Sequence, residues 1–92
     1  MNFLVKETSY KISSGRRNCY QLDLGYKVID FTFCQLLAFR KKILHYSSYE
    51  SLEAIIEEDN FILLWVADNK HLLYLDVPQI LELRATVLPI FR

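Results

Sequence analysis

The sequence predicts an α+β domain in which two strand-strand-helix units form a four-stranded, mostly antiparallel sheet with three helices on one face. Three observations carry this prediction. Apolar residues at strand spacing give way twice to helical spacing, each change falls on a capping-box pattern, and the two patterns, Thr32 with Gln35 and Asp76 with Gln79, lie 44 residues apart. Ninety-two residues make a single domain, 1–92, and a composition 52% hydrophobic with only two glycines and two prolines is that of a folding chain.

The first 18 residues are mostly polar. Residues 13–18 read as a loop, residues 10–12 hint at a short edge strand, and the segment is expected to be partly mobile. From Cys19 to Leu24 apolar and polar residues alternate as in a half-buried strand, Gly25 supplies the positive φ of a tight turn, and residues 27–31 return as a second strand. Thr32 then caps a helix running to about Tyr46. Its residues Phe33, Leu36, Leu37, Phe39, Ile43 and Leu44 form one broad apolar face, with Lys41 and Lys42 opposite. Ser47 with Glu50 opens a shorter helix, about 48–58, expected to turn Leu52, Ile55 and Ile56 inward and its glutamates to water.

Residues 61–67 are continuously apolar and too short for a typical helix, which predicts a strand buried on both faces, or on one face with a partner on the other. Residues 68–70 form a turn and residues 71–75 a returning strand. Asp76 caps a last helix with Pro78 in its first turn, where the missing N–H costs nothing, and Pro89 ends it near Leu88.

A shift of 44 residues superimposes 26–44 on 70–88. Val28, Ile29 and Phe31 fall on Leu72, Leu73 and Leu75, the caps and N3 glutamines coincide, and Arg40 meets Arg84. Any two amphipathic strand-turn-strand-helix segments share part of this pattern. The joint match of turn, cap and apolar face favours tandem ββα units, about 19–46 and 60–92, linked by the short helix.

The stretch Cys19-Tyr20-Gln21-Leu22-Asp23-Leu24-Gly25, followed by a strand and the helix at 33–39, resembles the core of a family of short uncharacterised bacterial proteins, a domain of unknown function. In that family a similar hairpin precedes such a helix, and a cysteine pair often stands before it. This chain has Cys19 with no second cysteine upstream, so the resemblance implies a fold and neither a metal nor an activity.

Chemistry-bearing residues are few. Cys34, the only candidate for catalysis, falls at the second position of the first helix, where unpaired amides and the helix dipole favour a thiolate. The plainer reading packs it as a small apolar residue, like its repeat counterpart Pro78. His45 and His71 could join Cys19 and Cys34 around zinc, but no Cys-x-x-Cys or His-x₃-His spacing is present, so no metal or other cofactor is expected. His45 reads better as a helix C-cap. Arg40 and Arg84 could pair around an anion, or could lay their stems over the core edge.

Eleven basic and eleven acidic residues cancel, which argues against nucleic acid despite Arg16, Arg17, Lys41 and Lys42. Residues 1–46 hold eight basic against three acidic residues, a net +5, and residues 47–92 the reverse, a net −5. No 18-residue apolar run exists, the first residues carry charge too early for a signal-peptide core, and two cysteines fit a reducing, cytoplasmic setting. The sequence favours a non-enzymatic interaction or regulatory module that self-associates as a homodimer, with Phe61, Leu63, Trp65, Ile90 and Phe91 as contact residues and a further protein partner allowed. The alternative is a small-ligand-binding or thiol-dependent enzymatic domain with a pocket between sheet and helices.

Overall fold

The computed structural model describes residues 10–15 and 17–90. Of the segment 1–18 expected to be partly mobile, residues 1–9 and Arg16 lie outside them, as does the expected contact residue Phe91. The order of elements is β1 (Lys11–Ser14), β2 (Tyr20–Asp23), β3 (Val28–Phe31), α1 (Phe33–Tyr46), α2 (Tyr49–Glu57), β4 (Phe61–Val66), β5 (His71–Asp76) and α3 (Val77–Val87). The class is α+β, as expected. The single four-stranded sheet is not formed: β1-β2-β3 make one antiparallel sheet and β4-β5 a separate two-stranded one. Alternation in a sequence encodes which face of a strand is buried and says nothing about which edges pair. The hint of a strand near Tyr10 becomes β1, the edge partner of β2.

With two sheets, the helices do not line one face of one sheet. Helices α1 and α3 pack on each other, α1 also on β3 and α3 on β5, while α2 touches α1, α3 and β4. Both sheets turn their inner faces to one continuous core, in which Leu22, Ile29 and Phe31 meet Leu36, Phe39 and Ile43, and Leu64, Leu73 and Leu75 meet Ile80, Leu83 and Val87. The rings of Phe31 and Phe39 stack at 5.2 Å, a geometry that contributes about 0.5–1.5 kcal/mol beyond area burial.

Both long helices begin as the sequence requires. The Thr32 hydroxyl accepts from the Gln35 amide at 3.2 Å while the Gln35 side chain accepts from the Thr32 amide at 2.9 Å. Asp76 and Gln79 repeat this at 3.0 and 2.9 Å. Each cap is worth about 1 kcal/mol. Asn18, held at φ 55°, adds a side-chain carbonyl that accepts from the Phe33 amide in the first turn. From the second strand onward the burial of the two 44-spaced stretches coincides: Ile29, Phe31, Leu36, Phe39 and Ile43 are buried, and so are Leu73, Leu75, Ile80, Leu83 and Val87.

Several finer expectations are corrected. Ser48, rather than Ser47, caps α2, accepting from the Ser51 amide, because Ser47 continues α1 with its own amide on the Ile43 carbonyl. Phe33, Leu37 and Ile56 are exposed rather than inward, since the buried stripe of each helix is narrower than its apolar face.

Candidate functional site

The β4–β5 hairpin has two apolar faces and a core on only one of them. Its register sets Ile62 opposite Leu75 and Leu64 opposite Leu73 on the inner face. The period of two then sends Phe61, Leu63 and Trp65 outward on β4, with Leu72 and Tyr74 outward on β5. Leu63 is 57% exposed, Trp65 50%, Leu72 41% and Tyr74 55%. The Phe61 ring is partly covered because it stacks on Tyr74 at 4.6 Å across the strands. This outward row corrects the alternative of a strand buried on both faces.

The outer face of the first sheet is built differently. There Gln21 donates to the Asp30 carboxylate at 3.1 Å, Lys11 lies opposite Asp23, and Val28 is the one large apolar residue. Gln21 and Asp30 stand 44 residues before Trp65 and Tyr74, so where the first unit meets water with polar groups the second presents aromatic rings. Among the expected contact residues, Phe61, Leu63 and Trp65 are therefore brought together on one surface, whereas Ile90 packs against the core. Leu72 and Tyr74 complete the surface. Sequence reasoning passed over them, although alternation in 71–75 already placed them opposite Leu73 and Leu75.

Different features flank the two ends of β4. At its start a concavity is lined by Phe61 and Ile62 together with Tyr46, Ser51, Ala54, Ile55 and Glu58. At its end the Lys42 ammonium donates to the Trp65 carbonyl at 2.8 Å. Beyond Val66 the chain turns through Ala67, Asp68 and Asn69, all at positive φ of 55°, 59° and 66°. For an L-residue this left-handed conformation costs roughly 1–2 kcal/mol, less for Asn and Asp. The Lys70 amide donates to the Val66 and Ala67 carbonyls, and Gln35 donates to Asp68 at 2.6 Å, holding the turn against α1.

The other candidates are accounted for structurally. Cys34 is exposed, which corrects its expected packing in the core, and Cys19 is half-buried; both are free thiols. His45 lies eleven positions further along the same helix, roughly 16 Å away at 1.5 Å per residue, and is engaged edge-on with Tyr46. The described residues contain no group of three or more metal-ligating side chains. The space between α1 and the β4–β5 turn holds about 200 Å³, and the side chains of Gln35 and Lys42 on its wall are tied to Asp68 and to the Trp65 carbonyl.

Arg40 and Arg84 each reach the C-terminal end of the other's helix. The Arg40 Nε donates to the Val87 carbonyl at the end of α3 at 3.4 Å, and Arg84 donates to the hydroxyl of Ser47, the C-cap of α1, at 2.9 Å. Each helix thus lends a cation to the negative end of the other, the sign that the helix dipole favours. Tyr10 packs on the start of α3. Burial pushes its phenol above the ordinary value of 10.0, with Glu82, Tyr26 and Asp76 adding to the rise and a hydrogen bond with Gln79 opposing it.

Comparison with protein-family models, curated proteins and solved structures finds no match to this chain.

Proposed function

We propose that the protein is a small non-enzymatic interaction module of the cytoplasm that self-associates through the outer face of β4 and β5. The observation that carries the reading is the contrast between the two sheets: one outer face is polar, and the other offers Leu63, Trp65, Leu72 and Tyr74 to solvent. Both strands of the second sheet are edge strands, and only their inner face is packed, on α2, α3 and the core. With an indole and a phenol each about half exposed beside two leucines, the face offers roughly 400 Å² of apolar side chain.

Self-association supplies a cover of identical shape. Two such faces together bury on the order of 800 Å², about half of a standard specific interface, so the association is concentration-dependent. Sedimentation equilibrium over a range of protein concentrations tests this. A reversible monomer–dimer equilibrium is expected, and a chain that stays monomeric at millimolar concentration removes the reading.

A further inference from the structure

The apolar face alone falls short of the area a stable dimer needs, and the charges at its two ends decide how the shortfall is met. At the Trp65 end Lys42 reaches across to the strand, Lys41 precedes it on α1, and Lys70 lies in the adjoining turn. The acid in that turn, Asp68, accepts from Gln35 and keeps its charge, so Lys41, Lys42 and Lys70 stand there against one carboxylate. At the Phe61 end Glu58 lines the concavity that Phe61 shares with α2, exposed Asp59 follows it, and among the described residues no lysine or arginine lines that concavity. Asp76, opposite Phe61, is occupied in capping α3. The outward row Phe61, Leu63, Trp65 therefore runs from an acidic end to a basic one.

We infer that a second copy of this chain seats on the β4–β5 face with its β4 antiparallel to the first, about a two-fold axis at Leu63, so that Lys41 and Lys42 of each copy meet Glu58 and Asp59 of the other. This rests on the self-association reading and adds its orientation. A two-fold axis makes every contact occur twice, so one complementary pair of ends yields two. An axis along the strands instead of across them sets lysine against lysine and glutamate against glutamate, which opposes association. The antiparallel seating matches all four ends at once and brings the rims of both copies into the buried area.

Two charge-reversed chains test the orientation by sedimentation equilibrium at low salt, each checked for folding by circular dichroism. Alone, K41E/K42E and E58K/D59K each dimerise at least about tenfold more weakly than the wild type, because both ends then carry one sign. Mixed in equal amounts they form a one-to-one heterodimer with affinity restored, since every contact again joins opposite charges. If loss of the Lys42 bond unfolds the first variant, K41E mixed with E58K poses the same question with that bond intact. Unchanged dimerisation of the single variants, or a mixture no tighter than its components, overturns the orientation while leaving self-association standing. A monomeric wild type overturns both.

Discussion

The reciprocal bonding of helix ends by arginine makes a quantitative prediction about stability. Arg84 is half-buried and its bond at 2.9 Å goes to the hydroxyl of Ser47, itself only 6% exposed. Replacing Arg84 with methionine keeps most of the apolar stem and removes the cation. A hydrogen bond from a charged donor contributes about 1.5–3 kcal/mol, and a cation at a helix C-terminus about 0.3–1 kcal/mol. The Ser47 hydroxyl keeps its bond to the Leu44 carbonyl at 3.3 Å, so it is not orphaned and the loss sits near the low end, about 1.5 kcal/mol. For a chain of this size that lowers Tm by roughly 6–12 °C. Ser47→Ala alone is expected to cost about 1 kcal/mol, and the double variant about 1 kcal/mol less than the sum of the two, because both remove the same bond. Urea unfolding of the four proteins measures the cycle. Additivity within about 0.5 kcal/mol would mean that Arg84 acts through its stem and that the cross-helix bond contributes nothing.

Three further outcomes are expected. Thr32→Ala and Asp76→Ala each lose about 1 kcal/mol in chemical unfolding, and a loss confined to one of them would show that the two caps are not equivalent in energy. Leu63→Thr, at the most exposed position of the β4–β5 face, leaves the thermal melt of the dilute protein within a few degrees of wild type. It weakens self-association by about tenfold or more in sedimentation equilibrium; a large drop in Tm at low concentration would instead place Leu63 in the folding core. Because the Tyr10 pKa is raised in the folded state, its contribution to stability is complete below about pH 10 and is lost as pH rises through the folded value. Tyr10→Phe should flatten the fall in stability above that pH, and an unchanged pH profile would show that the phenol is not perturbed.

Legibility in the sequence followed the range of the interactions concerned. The helix starts were legible because a capping box is completed within four residues, as Thr32 with Gln35 and Asp76 with Gln79 show. Ser47 against Ser48 was not decidable in the same way, since two adjacent serines both precede a helical run and the choice depends on where α1 releases its last amide. The inner faces of β3 and β5 could be read from alternation, but the division into two sheets could not, because edge pairing is settled by distant parts of the chain. Phe61, Leu63 and Trp65 stood out through the continuous apolarity of 61–67, and they share the outer face of β4. Arg40 and Arg84 were recognised as matched, yet their partners lie 47 and 37 residues away, beyond the reach of any local pattern.

In β4 the residues facing the core and those facing out are equally greasy, so polarity gives this strand no means of knowing which side is which. A slip of one position would exchange the two sets at little cost in hydrophobicity. What pins the choice is the left-handed corner at Ala67, Asp68 and Asn69, together with the Gln35 amide that grips it. The identity of the molecule's exterior is thus written into a three-residue bend, and lengthening that bend by one residue would present Ile62, Leu64 and Val66 to the outside instead.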